Sequence, residues 1–264
     1  MKIPFEKNSW AVVTGASSGI GRALAERLAQ HGMNLVMVAR EGEKLSELSR
    51  LWQDTYGIQA HPVGLDLSDP DSPRKVYEEI EQRNLSIDLL VNAAGFGYFG
   101  DFQDMTEEQV TKMVQVNATA IVQLCHLFLP GMQARKKGAI VNVASIAGFV
   151  PYPFAAVYCA TKSFLRLFTK ALWAENKEKN VRIILLCPGY TKTNFERVST
   201  EPSGIHFFSS EDASDIADKT LRRISSSGGC TLFTRLSHPF KILAAKILPS
   251  KLFAAILDHK RNRN

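Results

Sequence analysis

The sequence has little cysteine and no cysteine pair of the kind found in redox or metal centres. Its 264 residues include four cysteines, which lie far apart and form no C-x-x-C motif. Such cysteines are typical of reduced, mostly buried thiols in a cytosolic protein, and they exclude a small disulfide-stapled protein. The cysteines and histidines also lack the spacing of metal ligands, so we expect no metal site.

Long uncharged hydrophobic runs are also absent. No stretch of about 18 apolar residues is free of charge, so the sequence predicts no transmembrane helix of ordinary length. Residues 1–7 contain no apolar segment, and we therefore expect no secretory signal. A cytoplasmic location follows, with membrane association as the alternative that the C-terminal segment raises.

Most of the chain has no excess of charge of either sign. Seven basic residues and one acid lie in residues 235–264, whereas residues 1–234 hold 25 of each sign. The neutral body argues against a nucleic-acid partner. The composition, 45% hydrophobic and 22% charged, is that of a folded soluble protein. We predict one domain over residues 1–234, which holds the functional sites, and a basic appendage over residues 235–264.

Short apolar segments alternate with amphipathic ones along the predicted domain. Strands are predicted at residues 10–13, 35–38, 58–63, 87–92, 139–144, 181–186 and 231–233. Helical patterns fill the intervals, including one long helix from Thr106 to about Met132, capped by Thr106, and one from Glu211 to about Ile224. Apolar strands that alternate with helices predict an α/β protein of Rossmann type. It would have a doubly wound sheet of about seven parallel strands and helices on both faces.

A glycine-rich turn follows the first predicted strand. Its sequence is Thr14-Gly15-Ala16-Ser17-Ser18-Gly19-Ile20-Gly21. Glycine lets a ligand approach the main chain closely, and the N-terminus of the next helix attracts an anion. We predict a dinucleotide pyrophosphate site formed by Gly15, Ser17, Ser18, Gly19, Ile20 and Gly21. The alternative is a tight loop with incidental glycines.

The ends of the next two strands bear on the choice of dinucleotide. Folds that bind NAD often place an acid after the second strand, but here Ala39 is followed by Arg40. Arg40 could pair with a 2′-phosphate, which favours NADP(H) over NAD(H); the alternative is a surface arginine beside Glu41. Asp66 and Leu67 follow the third strand and are predicted to contact the adenine, although Asp66 could equally cap a turn.

Tyr158 and Lys162 lie four residues apart on a predicted helix and therefore share a face. A cation about 4 Å from a phenolate stabilises it by about 4 kcal/mol at an effective dielectric of 20. We therefore expect Lys162 to lower the pKa of Tyr158 by about three, so that Tyr158 exchanges a proton with a carbonyl oxygen. Ser145 ends the fifth strand and could bond the same oxygen. The alternative for Tyr158 and Lys162 is a pair on the helix surface.

Together these motifs resemble the short-chain dehydrogenase/reductase family over about residues 8–235. The family's T-G-x-x-x-G-x-G matches Thr14 to Gly21. Its N-N-A-G is similar to Asn92-Ala93-Ala94-Gly95, with Ala93 in place of the second Asn. Its catalytic set matches Asn117, Ser145, Tyr158 and Lys162, and its P-G motif matches Pro188-Gly189 with Thr191 and Thr193.

The resemblance also implies roles for these residues. The cofactor would be contacted by Asn92, Ala93, Ala94, Gly95, Tyr158, Lys162, Pro188, Gly189, Thr191 and Thr193. Asn117 would hold a water in a proton relay through Lys162 to Tyr158, and Lys162 would bind the nicotinamide ribose. The alternative for Asn117 is a helix-kink residue bonded to its own backbone. The family usually forms dimers or tetramers, which implies a homodimer or homotetramer.

Aromatic residues are frequent in the segments expected around the nicotinamide. They are Phe96, Tyr98, Phe99, Phe149, Tyr152, Phe154, Tyr190, Phe195, Phe207 and Phe208. They predict an apolar pocket, although about half could simply pack in the core. Residues 191–210 contain Pro202, Gly204 and several serines, and we expect a mobile lid there.

The basic appendage has apolar residues at helical spacing. They are Phe240, Leu243, Ile247 and Leu248, then Leu252, Phe253, Ile256 and Leu257. Flanking lysines predict a peripheral contact with an anionic membrane. A cover over the substrate cleft or a contact with a neighbouring subunit is the alternative.

The sequence as a whole predicts a reversible NADP(H)-dependent reductase that converts an apolar ketone or aldehyde to an alcohol. Within the enzyme class, the alternative is a 3-oxoacyl or steroid-like lipid substrate at a membrane surface. A second class is a non-catalytic interaction protein that senses NADP(H).

Overall fold

The structure, a computed structural model, describes residues 4–191, 210–226 and 228–247. Within these residues, seven strands form one sheet: β1 (Trp10–Thr14), β2 (Asn34–Ala39), β3 (Ala60–Gly64), β4 (Ile87–Asn92), β5 (Gly138–Val143), β6 (Val181–Cys187) and β7 (Thr231–Phe233). The strand order is β3-β2-β1-β4-β5-β6-β7, and every neighbouring pair is parallel. The chain reverses its direction of sheet growth between β1 and β4, and a crevice forms at the carboxyl ends of strands where the order reverses in this way. The predicted sheet is confirmed.

Helices cover both faces of the sheet. They are α1 (Gly19–Gln30), α2 (Gly42–Tyr56), α3 (Ser72–Gln82), α4 (Glu107–Val114), α5 (Ala120–Ala134), α6 (Ala156–Glu175), α7 (Ala213–Ser225) and α8 (Ser237–Ile247). Apolar residues of α1, α2 and α7 pack in one core on one face, and those of α3, α5 and α6 pack in a second core. All six residues of β4 and of β5 are buried, as expected for central parallel strands.

The long helix predicted from Thr106 contains one irregular turn. Thr106 begins α4 with a capping box, in which its Oγ1 accepts from the Gln109 amide at 3.2 Å, so the predicted cap is confirmed. A π-helical turn, Gln115–Thr119, then separates α4 from α5. The predicted long helix is confirmed, because Glu107–Ala134 form one continuous helical segment, but the pattern did not predict the π turn within it. Asn117, which contacts the loop after β4, lies in that turn.

Among the residues that the structure describes, one helix has the length and composition of a membrane span. It is the combined segment of α4, the π turn and α5, Glu107–Ala134. Its charged residues, two acids and Lys112, all lie near its start. In the structure, 56% of its most apolar window is buried, and Ile121, Leu124 and Phe128 contribute to the second core. The expectation that no helix has this length and composition was therefore wrong, because residues 113–134 contain no charged side chain. Burial in the core accounts for this hydropathy.

All four cysteines are free and buried. The prediction of reduced, buried thiols is therefore confirmed. Burial raises the pKa of the Cys125 and Cys159 thiols to about 12, so both are neutral at physiological pH. For Cys159, which adjoins Tyr158, this leaves the role of a small helix residue.

Candidate active site

The predicted catalytic side chains meet at the carboxyl edge of the sheet. Ser145 lies two residues after β5, and Tyr158 and Lys162 lie in the first two turns of α6. The Ser145 hydroxyl and the Tyr158 phenol are hydrogen-bonded to each other, and Lys162 Nζ lies 5.7 Å from the centroid of the Tyr158 ring. All three residues are buried. The surface-pair alternative for Tyr158 and Lys162 is therefore wrong.

Ser145 is held by the 3₁₀ turn that follows it, Ile146–Phe149. Its Oγ accepts from the Ala147 amide at 3.1 Å, which fixes the direction of the hydroxyl. In the same turn, a Cβ on Gly148 would lie 2.6 Å from the Lys162 carbonyl oxygen. Glycine at 148 therefore allows α6 to pack against this turn and brings Ser145 and Tyr158 together.

Lys162 is buried against the end of β5. Its Nζ donates to the Val143 carbonyl at 2.9 Å. Burial lowers its pKa from about 10.5 to about 8, because an ammonium group loses solvation there. At pH 7 the side chain is still mostly charged.

The pKa of Tyr158 is raised, which contradicts the expectation that Lys162 lowers it. Burial of the phenol is the main cause, and the hydrogen bond with Ser145 opposes it only in part. Lys162 donates to a backbone carbonyl and is itself buried, so its charge does not offset the lost solvation of a phenolate. Tyr158 is therefore protonated at neutral pH.

Asn117 links the π turn to the loop after β4. Its Oδ1 accepts from the Phe96 amide at 3.1 Å, and its Nδ2 donates to the Phe96 carbonyl at 2.8 Å and to Thr161 Oγ1 at 3.3 Å. The alternative that Asn117 bonds its own backbone is therefore wrong. A Cβ on Gly95 would lie 3.0 Å from Asn117 Oδ1 and 3.4 Å from Lys162 Nζ, so these groups are close neighbours.

The glycine-rich turn and the segment after β4 pack into one cradle. Gly15 has φ +68°, and a Cβ there would lie 2.9 Å from the Ala94 amide nitrogen. Thr14 Oγ1 accepts from the amides of Ala93 at 3.0 Å and Ala94 at 3.1 Å. Thr14 therefore organises the cradle, a role that we did not assign to it although it begins the motif.

The cradle fits a pyrophosphate. Ser18 precedes α1 without a capping side-chain bond, and the first turn of α1 contains no acid. Gly19 has φ +55°, and a Cβ on Gly21 would overlap the Gly15 carbonyl oxygen. Both positions therefore require glycine. The first-turn amides around Ile20 are thus available to an anion. Ser17 has another partner, because its hydroxyl donates to the Glu41 carboxylate.

Arg40 lies exposed at the end of β2, where a 2′-phosphate is expected. Its neighbour Glu41 is bonded by Ser17 and lies 3.4 Å from Lys44 Nζ. These contacts and the charge of Arg40 hold the pKa of Glu41 below its usual range. The Glu41 carboxylate therefore pairs with Ser17 and Lys44, while the Arg40 side chain is exposed to solvent.

Three further predicted cofactor residues use their side chains within the protein. Asp66 Oδ1 accepts from the Ser68 amide at 2.9 Å, as the turn alternative expects. Leu67 packs with Val116 in a small core cluster. Asn92 is fully buried, and its Nδ2 donates to Asn142 Oδ1 at 2.9 Å, so only its backbone faces the cradle at the end of β4.

The turn after β6 lies beside the catalytic group. The Pro188 carbonyl accepts from the Ile146 amide at 3.1 Å, and Thr191 Oγ1 donates to the Gly189 carbonyl at 3.1 Å. The Gly189 amide donates to Glu211 at 3.1 Å. Glu211 was predicted to lie in a helix, but it pairs with Thr191 outside α7. Thr193 lies outside the described residues.

Aromatic side chains pack around Tyr158. The rings of Phe99 and Tyr158 are 5.9 Å apart, and Phe96, Tyr98 and Tyr152 belong to the same cluster. A cavity of about 210 Å³ adjoins it, lined by Tyr98, Gly100, Asp101, Phe102, Met105, Phe154 and Ala156.

The other predicted aromatic residues do not share that position. Phe149 packs instead on Phe233 in the second core, at 5.3 Å between ring centroids. Tyr190 lies in the turn after β6, where its carbonyl accepts from the Glu211 amide. Phe195, Phe207, Phe208 and most of the predicted lid lie outside the described residues. In the part of the chain that the structure describes, no group of His, Cys, Asp or Glu could hold a metal ion.

The chain is similar to known proteins over most of its length. Residues 9–203 match the family model of the short chain dehydrogenases. A very-long-chain 3-oxoacyl-CoA reductase from Bos taurus is 32% identical over 96% of this chain and 80% of its own length. A very-long-chain 3-oxoacyl-CoA reductase-A from Danio rerio is 36% identical over 72% of this chain, and the match spans 60% of the relative's length.

A solved structure shows the same fold. It is a short-chain dehydrogenase from Sphingobium yanoikuyae in complex with NADPH, with a TM-score of 0.78 and 26% identity over 93% of this chain and 95% of that chain. The sheet order, the site geometry and the family match agree. This chain belongs to the short-chain dehydrogenase/reductase family, and it is an oxidoreductase that acts on CH–OH and C=O groups.

Proposed function

We propose that the protein reduces the carbonyl group of an apolar substrate with NADPH, reversibly. The observation that carries this proposal is the buried Ser145–Tyr158–Lys162 group beside the glycine cradle. When bound, the nicotinamide supplies the hydride that reduces the carbonyl carbon. The cradle, Arg40 and the turn at Gly189 hold the cofactor.

The side chains of this chain supply the rest of the chemistry. Tyr158 donates its phenol proton to the substrate oxygen, and Ser145 donates a hydrogen bond to the same oxygen as charge develops on it. Lys162 stabilises the phenolate that remains and binds the nicotinamide ribose. Asn117 holds the loop after β4 close to Lys162 and orders the proton relay to solvent.

Replacement of the proton donor tests the proposal. Tyr158→Phe should lower kcat about a hundredfold to ten-thousandfold, because general acid catalysis contributes about that much. NADPH affinity, measured by fluorescence titration, should stay within about twofold. Tyr77→Phe, on α3 and packed on Phe128 away from the site, is the matched control and should keep its turnover. A non-catalytic protein that senses NADP(H) would bind NADPH, but none of the ketones tested would cause its oxidation. That result would refute the catalytic proposal.

The preference for NADP(H) is carried by Arg40. Charge-assisted hydrogen bonds contribute about 1.5–3 kcal/mol, so Arg40→Ala should raise KM for NADPH about ten- to a hundredfold. KM for NADH should change less than about twofold. Arg50→Ala, an exposed arginine on α2, is the matched control and should leave both values unchanged. An equal loss for the two cofactors would contradict the preference.

For the substrate we favour a fatty 3-oxoacyl thioester. The aromatic cluster and the adjoining cavity are apolar, and the relatives from Bos taurus and Danio rerio are named as reductases of such compounds. Each buried CH₂ contributes about 0.8 kcal/mol, so kcat/KM should rise about fourfold per methylene until the chain fills the pocket. NADPH oxidation with a series of 3-oxoacyl thioesters measures this. No dependence on chain length would favour a compact ketone.

We also propose a homodimer or homotetramer. The long helices expose apolar side chains: Phe164 and Leu167 on α6, and Val114 on α4. Leu167→Glu should shift the mass measured by light scattering toward the monomer. Lys170→Glu on the same helix is the control and should not.

A peripheral contact with an anionic membrane would place this activity at the cytoplasmic surface of a bilayer. Phe240, Leu243 and Ile247 lie at helical spacing along α8 and are exposed, and Leu236, just before the helix, is 92% exposed. The excess basic charge of residues 235–264 complements anionic lipid.

Liposome flotation tests this contact. Binding to vesicles that contain phosphatidylserine should be lost in Phe240→Glu/Ile247→Glu, whereas Leu51→Glu, an exposed leucine on α2, should retain it. Equal binding to neutral vesicles, or binding that survives the double change, would refute the proposal.

A further inference from the structure

The turn after β6 is held by an acid that the proposed chemistry does not use. Glu211 is buried, with 3% of its surface exposed. No other carboxylate among the described residues accepts from the Gly189 amide. The partners of Glu211 indicate its role.

Glu211 is bonded to the turn through both its backbone and its side chain. Its amide donates to the Tyr190 carbonyl at 2.9 Å, and Thr191 pairs with it as in a parallel sheet. Its Oε1 accepts from the Gly189 amide at 3.1 Å and from Thr234 Oγ1 at 2.6 Å. The carboxylate therefore ties the turn to the residue that follows β7.

Two cationic side chains and a buried imidazole, whose pKa burial lowers, surround the same carboxylate. Arg235 Nε lies 3.5 Å and Lys219 Nζ lies 3.7 Å from Oε2, and His238 Nε2 lies 3.6 Å from Oε1. A buried carboxylate is costly unless such partners offset its lost solvation. Glu211 thus connects the turn with α7 and with both sides of the predicted boundary between residues 234 and 235.

Gly189 is packed directly against this group. A Cβ on Gly189 would lie 3.0 Å from Glu211 Oε1 and 2.9 Å from His238 Nε2. On the other side of the turn, the Pro188 carbonyl accepts from the amide of Ile146, the residue after Ser145. A displaced turn would therefore disturb both the nicotinamide contact and the segment that carries Ser145.

We propose that Glu211 is a positioning residue, which fixes the Gly189 amide and thereby the nicotinamide end of the cofactor site. This inference rests on the proposed function, because it assumes that the turn at Gly189 contacts the nicotinamide. Glu211 acts through the turn and does not itself touch the reacting atoms. The adenosine end of the site lies across the sheet, at the ends of β2 and β3, and does not depend on Glu211.

The test compares two ligands that differ in the nicotinamide half. NADPH fills both ends of the site, whereas adenosine 2′,5′-bisphosphate reaches only the adenosine end. In Glu211→Ala, we expect NADPH affinity to fall about tenfold and kcat with a saturating ketone to fall at least about tenfold. Affinity for adenosine 2′,5′-bisphosphate should change less than about twofold.

Two variants separate positioning from general stability. Glu211→Gln keeps an oxygen that accepts from Gly189 and Thr234, so it should restore NADPH affinity to within about threefold of the wild type. Asp88→Ala removes another buried carboxylate, which pairs with Lys137 at 3.1 Å near the amino end of β4. It should lower the Tm and leave the ratio of the two affinities unchanged.

Equal weakening of both ligands in Glu211→Ala, or unchanged NADPH affinity and kcat in the folded variant, would overturn the inference. If Glu211→Ala does not fold, Thr234→Val removes one anchor of the carboxylate and should weaken NADPH selectively, by about threefold; equal loss of both ligands would again overturn it. Failure of the proposed function would be seen in the wild type instead: the protein would bind no NADPH, or no ketone would cause NADPH oxidation.

Discussion

Lys162 should make the stability of this protein depend on pH in an unusual direction. Burial lowers its pKa from about 10.5 to about 8. Each unit of pKa corresponds to about 1.4 kcal/mol, so the buried charge costs about 3 kcal/mol of folding free energy at pH 7. The unfolded chain holds more protons between pH 8 and pH 10.5, and this contribution to stability therefore rises with pH across that window.

The perturbation that isolates this effect is Lys162→Met, which keeps an unbranched side chain and removes the charge. From pH 7 to pH 9.5, the unfolding free energy of the wild type should increase by about 2 kcal/mol relative to the variant. Guanidinium chloride unfolding at the two pH values measures the difference. Other titrating groups are present in both proteins and cancel.

Lys170→Met is the control, because Lys170 lies on the same helix and is exposed to solvent. Its unfolding free energy should follow the wild type at both pH values. A constant difference between the wild type and Lys162→Met would refute the reasoning, since it would mean that the ammonium group remains solvated or paired in the folded protein.

Three other predictions follow from single residues. Gly15→Ala should weaken NADPH binding at least about tenfold by calorimetry and destabilise the fold by about 1–3 kcal/mol, because φ is +68° and the Cβ would press on Ala94; an unchanged affinity would contradict the cradle. Cys159→Ser should keep full activity, and the native thiol should react slowly with iodoacetamide at pH 7, because burial raises its pKa to about 12. Burial also lowers the pKa of His238 despite Glu211, so stability is lost as pH falls below about 6.5; His238→Gln should reduce that loss in calorimetry between pH 7 and pH 5.

Most of the fold followed from local patterns in the sequence. β4 was predicted from its apolar run and has the bounds expected, and the cap at Thr106 followed from one short motif. The π turn did not follow, because it depends on Asn117 bonding the backbone of Phe96, 21 residues away. Such a contact exists only after the sheet has brought the two segments together.

The candidate site was predictable where a motif fixes the spacing, and not elsewhere. Tyr158 and Lys162 share a helix face, and the structure brings them to Ser145 as expected. Glu211 carries no motif: in sequence it resembles an acid in the first turn of a helix. Its partners lie 8 to 27 positions away in the chain, on both sides of it from Gly189 to His238, so only the packed structure reveals it.

The pKa of Tyr158 was predicted with the wrong sign, and the reason bears on mechanism. Spacing places a cation near the phenol, but it does not show that both groups lose their solvation. A neutral phenol beside a charged ammonium group is the arrangement that donates a proton to a carbonyl. The ammonium charge of Lys162 then stabilises the phenolate only as it forms, so the interaction is stronger in the transition state than in the ground state. The burial that opposes ionisation of Tyr158 thus keeps the proton on the phenol at neutral pH, where it can be donated to the substrate oxygen.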